Sequence, residues 1–331
     1  MSAAAGDLRD RVAATGLLPA GAPVVVGCSG GRDSLCLLDL AAALAGADAV
    51  LAVHVHHGLR DRDADRDAVH VAAQARRLGV AARVLRLAPP ATGAGAAWAR
   101  DARRAALLAA AERWSPGSGR ERRVRVLLGH TVDDQVETLV LRAISSPGIR
   151  ALAGMAVQDA EGRLARPLLA ADVDRRATAA WCAARGIAWR EDPSNPRGPR
   201  GRVRALLRAA QAIDGRATAA LHRTASRARE DDEALRAAAA ALVAPLEPGA
   251  PLPVAVLAGA PTAIARRALR LLAERAVGRP CPRVEARLEE VLALTPGVGG
   301  GPATAALDVG DGVRVVRTPD GVACEPLPSR S

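Results

Sequence analysis

Two short segments of this 331-residue chain concentrate groups able to work on a phosphate. The first is Ser29-Gly30-Gly31-Arg32-Asp33-Ser34. Its glycines let a backbone approach a ligand closely and take angles closed to other residues. A helix opening here adds unpaired N–H groups and the positive end of its dipole, and Ser29 and Ser34 add hydroxyls. Asp33 is misplaced beside an anion unless a divalent cation bridges the two. A Gly-rich turn with Ser and Asp as helix caps accounts for any two of these residues, and less well for the full set. The second segment is Gly129-His130-Thr131-Val132-Asp133-Asp134-Gln135-Val136-Glu137-Thr138. Thr131 is placed to cap a helix with Asp134 at its third position, and helix stability alone explains Asp133 and Asp134. It explains Glu137 less well. Asp134 and Glu137 fall on one face, where like charges repel unless a cation or an ammonium group joins them. His130 is placed to donate to a phosphate or to handle a proton near neutrality.

Arginines supply a second set of candidates. Arg100, Arg103 and Arg104 share one predicted helix, and Arg200, Arg202 and Arg204 follow Glu191-Asp192-Pro193-Ser194-Asn195. Guanidinium groups grip phosphates bidentately, although a solvated, Arg-rich helix face reads the same way. His54, His56 and His57 end a predicted strand. With no carboxylate or thiolate suitably spaced nearby, they are read as shaping a nucleotide site, not as binding zinc.

These segments carry a family resemblance. Ser29 to Ser34 resembles the SGGxDS pyrophosphate loop of the PP-loop ATP pyrophosphatases, which cleave ATP between its α- and β-phosphates and activate a carbonyl oxygen as an adenylate. Within that superfamily, His54-Val55-His56-His57-Gly58-Leu59-Arg60 resembles the HVxHGLR segment of the tRNA(Ile)-lysidine synthases, and residues 129–138 resemble their GHTxDDQxET signature. Ala99 to Arg104 is similar to their A-R-x-x-R-Y helix, with Arg104 in place of Tyr and Ala96 in place of an upstream Glu. Arg166-Pro167-Leu168 and the 191–204 stretch follow in family order, with Gly201 for Asn and Ser145-Ser146-Pro147-Gly148 for R-G-S-G. The resemblance spans roughly residues 20–210.

The resemblance implies a ligase that adenylates the wobble cytidine of tRNA(Ile) with a CAU anticodon and then attaches free L-lysine. It implies ATP and Mg2+ as cofactors, with Ser29, Gly30, Gly31, Arg32, Asp33, Ser34 and His54 at the nucleotide. Asp33 and Asp134 would hold the metal, and Asp134 with Glu137 the lysine amine. Arg103 and His130 complete the catalytic set, Arg100 approaches phosphate, and Arg200, Arg202 and Arg204 face RNA. Another PP-loop tRNA-modifying ATPase and a non-catalytic RNA-binding descendant remain the alternatives. Homodimerisation is left open.

The elements that must position these residues are legible as alternating strand and helix runs. Strands are expected at 23–26, 49–54, 82–87 and 124–128, and helices at 33–44, 63–78, 96–114 and 132–144. Repeated units of this kind give an α/β fold with a parallel sheet covered on both faces, and ligands bind beyond the carboxyl ends of its strands. This is the PP-loop, adenine-nucleotide-alpha-hydrolase-like class, expected over 1–213. A mainly helical region follows over 214–295, with helices at 217–243 and 263–277. A linker at 296–301 leads to a small hairpin turned at Asp311-Gly312 and Asp320-Gly321 within 296–331.

Composition narrows the chemistry. The chain has no Lys, Tyr or Phe. That excludes a Walker A loop, a pyridoxal-phosphate Schiff base, a protein-kinase site and an aromatic RNA-recognition platform. The formal charge is +11, with further Arg at Arg120, Arg122, Arg123, Arg125 and Arg197. Such an excess suits a polyanionic partner, and codon bias towards Arg accounts for it equally well. Cys28, Cys36, Cys182, Cys281 and Cys324 include no Cys-x-x-Cys pair, so they read as reduced, mostly buried thiols. No apolar run approaches a membrane span, and residues 1–18 carry Asp7, Arg9, Asp10 and Arg11 without a signal-like stretch; a cytoplasmic protein is expected.

Overall fold

The run Val24-Val25-Val26 becomes the central strand of a five-stranded parallel sheet in a computed structural model, which describes residues 3–56, 61–90, 95–114, 124–146, 148–190, 198–247, 249–294 and 304–327. The chain divides into two compact units, Met1–Ser226 and Arg227–Ser331. Helix α1 (Ala3–Ala14) precedes β1 (Val24–Gly27), α2 (Arg32–Ala45), β2 (Val50–His56), α3 (Asp61–Arg77), β3 (Ala81–Arg86) and α4 (Ala96–Arg113). Then come β4 (Arg125–Leu128), α5 (Val132–Ser145), α6 (Ile149–Leu152), β5 (Leu164–Ala165), α7 (Pro167–Ala170), α8 (Arg175–Ala184) and α9 (Pro199–Ile213). The sheet order is β3-β2-β1-β4-β5. Val24 registers with Val50 on one side and Arg125 on the other.

Alternation along β1 assigns its side chains to two layers. Val24 and Val26 pack with α1, α2 and α8 residues such as Leu8, Leu38 and Trp181, while Val25 faces Leu107 and Ala110 of α4. A strand covered on both faces is apolar throughout, which is why these runs were readable. The α/β class is as expected, but α1 and the two-residue β5 have no strong signal in the sequence.

In the second unit, the end of α10 (Ala217–Val243) is followed by α11 (Val254–Gly259), α12 (Thr262–Val277), α13 (Leu288–Ala293), β6 (Ala305–Gly310), β7 (Val313–Thr318) and β8 (Gly321–Pro326). Leu257, Leu269, Val291, Val313 and Val322 share its core. The expected hairpin is a three-stranded antiparallel sheet, because each Asp-Gly pair closes its own turn. Asp311 (φ 53°) and Gly312 (φ 69°) take the left-handed backbone that such tight turns require. All five cysteines are free, and burial pushes the Cys28 thiol up to about 12. The expected His57-Gly58-Leu59-Arg60 and Glu191-Asp192-Pro193-Ser194-Asn195 segments, Arg120, Arg122, Arg123, Pro147, Arg197 and the 296–301 linker lie outside the described residues.

Asp39 of α2 ties α8 to α2. Its buried carboxylate accepts from the Trp181 indole N–H at 3.0 Å and pairs with Arg185 at 2.5 Å. Asp39→Ala should cost about 2–4 kcal/mol by leaving a buried donor and a cation unpaired. Asp39→Asn, which keeps an acceptor for the indole, should lose less in urea unfolding. Equal losses would show that the indole bond contributes nothing.

Candidate active site

The order of strands reverses between β1 and β4, so the loops after these two strands open on one crevice. After β1, the Cys28 N–H still donates to Val53 O at 2.8 Å, and the chain then turns. Gly30 has φ +84°, a conformation other residues rarely adopt. Ser34 donates its hydroxyl to Gly31 O at 2.8 Å and accepts from the Ser29 N–H at 3.2 Å, which fixes the loop on the first turn of α2. The Arg190 N–H donates to Gly30 O at 3.0 Å and ties the loop from outside. The amides of Arg32, Asp33 and Ser34 lie in the first turn of α2, where no intrahelical acceptor exists, so they form an anion site. Gly129, after β4, packs directly on this turn. A Cβ there would stand 2.9 Å from Asp33 O and 3.0 Å from Ser34 Cα, so only glycine fits.

The acidic residues converge from two helices. Thr131 donates its N–H (2.9 Å) and its hydroxyl (3.0 Å) to Asp134 Oδ2, the acidic half of the expected capping box. The other oxygen, Oδ1, accepts from Arg175 at 2.8 Å, and a second nitrogen of the same guanidinium donates to Glu137 Oε1 at 2.6 Å. Arg175 Nε is also 3.9 Å from Asp33 Oδ2, and its backbone N–H donates to Asp133 Oδ2 at 2.8 Å. Arg204 donates to Glu137 Oε1 at 2.7 Å. Asp33 Oδ1 accepts from Thr178 (2.5 Å) and Arg32 (3.0 Å). The Glu137 side chain is only 1% exposed, so these partners supply the cation its spacing demands.

Local geometry explains how Arg175 arrives there. The Val132 N–H donates to Val173 O at 2.9 Å, which joins the start of α5 to the residues preceding α8. Asp174 then caps α8, accepting from the Ala177 N–H at 2.8 Å, so that Arg175 and Thr178 face the cluster. Burial works against the charge on Arg175, but Asp134 and Glu137 more than offset it and hold its pKa above the ordinary value. Burial likewise opposes ionisation of Asp134, yet Arg175 and the Thr131 hydrogen bonds hold it below the usual carboxylate range. Burial raises Asp133.

His130 borders a cationic region. Burial, with Arg166, Arg103 and Arg200, lowers its pKa to about 4 against the pull of Asp134. Arg166 Nε donates to His130 Nδ1 at 3.2 Å, so the neutral ring carries its proton on Nε2. His130 is therefore a neutral donor at pH 7 in this state, not a group that titrates near neutrality as expected. Burial, then Arg100 and Arg200, lower the pKa of Arg103, and among the described residues no carboxylate pairs with it. Arg100, Arg200 and Arg202 are exposed, whereas Arg204 is engaged by Glu137. His54 is buried beneath the loop, with Nδ1 2.9 Å from Cys28 O, and burial lowers its pKa.

Asp33, Asp134 and Glu137 thus meet around one guanidinium, with His130 and Arg103 on the cationic side. Sequence reasoning missed Arg175 and Thr178; their only local signal is an Asp-capped helix start. Among the described residues, no group of three or more His, Cys, Asp or Glu side chains could hold a metal. The arrangement suits an anion at the loop amides, with a cation shared between Asp33 and that anion.

Residues 13–210 match the PP-loop domain family. The chain is 39% identical over 290 residues to the tRNA(Ile)-lysidine synthase of Nocardia farcinica (strain IFM 10152), covering 86% of each chain. It is 41% identical over 293 residues to the tRNA(Ile)-lysidine synthase of Thermobifida fusca (strain YX), covering 84% of this chain and 83% of that one. Among solved structures, the U34-tRNA thiolase NcsA from Methanococcus maripaludis with its 4Fe-4S cluster has a TM-score of 0.54 at 16% identity, over 68% of this chain and 78% of that one. That likeness is one of fold alone.

His130 binds fewer protons folded than unfolded between about pH 4 and its ordinary pKa near 6.5. Its contribution to stability is complete above that window and is lost as pH falls through it. His130→Gln should therefore flatten the acid side of the stability profile in urea unfolding at stepped pH. A profile as steep as that of the wild type would contradict the depressed pKa.

Proposed function

The chain belongs to the tRNA(Ile)-lysidine synthase family, and from that premise we propose that it ligates free lysine to C2 of the wobble cytidine of tRNA(Ile) with a CAU anticodon, at the expense of ATP. The observation that carries the proposal is the phosphate loop at the β1–β4 switch point, with paired acids on one side and Arg103, Arg166 and Arg200 on the other. In the first half-reaction the cytidine O2 attacks the α-phosphate of ATP, an O–P bond forms, and pyrophosphate leaves. The amides of Arg32, Asp33 and Ser34 bind the departing pyrophosphate. Arg103 and the neutral His130 Nε2–H stabilise charge developing on the α-phosphate. In the second, the lysine ε-amine attacks C2, the C–O bond breaks, and AMP leaves with the oxygen.

Mg2+ fits the donors present. Among the described residues, Asp33 Oδ2 has only a guanidinium nitrogen 3.9 Å away, and a single carboxylate beside phosphates is a usual Mg2+ environment. Asp33 would hold the ion with the nucleotide, and Asp134 would join it only if Arg175 withdrew. The ion would neutralise phosphate charge and orient the chain of phosphates. Asp134 and Glu137 hold the substrate amine, so Arg175 must yield part of its contact as the amine enters. A tRNA substrate supports a cytoplasmic location, and no described helix is long and apolar enough to cross a membrane.

Incubation with unmodified CAU-anticodon tRNA, ATP and radiolabelled lysine should place one lysine per tRNA with release of AMP and pyrophosphate. Arg103→Gln should slow pyrophosphate release roughly 10²-fold, the effect of losing one charge-stabilising donor. Pyrophosphate released without lysine incorporation would favour another PP-loop tRNA-modifying ATPase. Binding of tRNA with neither would favour a non-catalytic RNA-binding descendant.

A further inference from the structure

Thr178 is a fully buried hydroxyl that the reaction above leaves without a task. Its Oγ1 lies one turn into α8, 2.5 Å from Asp33 Oδ1, 3.0 Å from Arg32 Nε and 3.1 Å from Arg175 O. Arg32 Nε can only donate, so the hydroxyl oxygen accepts from it. The single hydroxyl proton then has two acceptors to choose between. A separation of 2.5 Å from a carboxylate is that of a charge-assisted bond, whereas the Arg175 carbonyl is neutral and farther off. The proton goes to Asp33.

This leaves the Asp33 carboxylate lopsided. Oδ1 accepts from both Thr178 and Arg32, while Oδ2 has, among the described residues, only Arg175 Nε at 3.9 Å, too far for a hydrogen bond. Asp33 belongs to the same first turn of α2 as the anion-binding amides. Thr178 is itself held stiffly. A β-branched side chain in a helix has few rotamers, and the one adopted keeps Oγ1 against the carbonyl three residues back. Without the hydroxyl, a small rotation of the Asp33 carboxylate would close the gap to Arg175 and make Oδ2 half of an ion pair.

We propose that Thr178 is a positioning residue for the divalent cation: by pinning Asp33 Oδ1, it keeps Oδ2 off Arg175 and open to Mg2+ beside the nucleotide. The proposal rests on the reading above in which Asp33 holds Mg2+, and assigns the residue that aims this ligand. Hydrogen bonds to a ligating carboxylate orient it, and losing such a partner costs about 10–100-fold in metal affinity. Thr178 is not required merely to join α8 to α2, because Asp39 already does so through Trp181 and Arg185. The two roles are therefore separable.

Calorimetric titration of the full chain with α,β-methylene ATP, once in Mg2+ and once in EDTA, tests this. Thr178→Val keeps the side chain's shape and removes the hydroxyl; it should weaken the analogue about tenfold in Mg2+ and leave it within about twofold in EDTA. Thr178→Ser should recover most of the loss, and Asp39→Asn should leave both affinities unchanged. Equal losses in Mg2+ and EDTA for Thr178→Val, or no loss in Mg2+, would overturn the role of Thr178 while leaving the ligase intact. So would an equally Mg2+-specific loss in Asp39→Asn. A wild-type chain that binds the analogue with no help from Mg2+ would overturn the metal at Asp33 and the role of Thr178 with it, whatever the lysine-incorporation assay returns.

Discussion

Three carboxylates at one crevice have to be held together against their mutual repulsion, and Arg175 is what holds them. Asp33 stands at the start of the helix after β1, Asp134 and Glu137 at the start of the helix after β4. Both helices direct positive dipole ends at the place where strand order reverses, so acids are tolerated there. Glu137 is too deeply buried for dipoles alone. A planar guanidinium reaches Asp134 and Glu137 at once, a geometry that a lysine ammonium on this helix could not match. The cluster also fixes how α8 meets α5, since the same residue donates its backbone N–H to Asp133.

His130 marks where the sign of the field changes. Asp134 lies on one side, and Arg103, Arg166 and Arg200 on the other. The loop amides and the arginines favour phosphate oxygens; the acids favour cationic partners. A reaction that joins a phosphate, a nucleobase oxygen and an amine needs both kinds of surface within a few ångströms, set in place beforehand. The backbone contact between Gly129 and the Asp33–Ser34 turn keeps the two halves in register, which explains glycine at the end of β4.

Much of this frame is legible in the residues themselves. Val24-Val25-Val26 and Ala49 to His54 read as strands because both their faces are buried, and the Thr131–Asp134 spacing announces a capped helix. The pair Asp134 and Glu137 even calls for a cation between them. Its identity is not legible, because Arg175 is distant in sequence and one arginine among many on helix starts. Its role exists only once the bond from Val132 to Val173 has brought α8 to α5. The depressed pKa of His130 is equally invisible locally, since it arises from burial and from arginines on three other segments. β5 is two residues long and too short to leave a periodicity.

All of this places the triphosphate at the β1–β4 switch point. A crystal structure of the chain with α,β-methylene ATP measures this directly. The β- and γ-phosphates are expected on the amides of Arg32, Asp33 and Ser34, with the α-phosphate towards His130 and Arg103. A nucleotide bound elsewhere, with this turn empty, would contradict it.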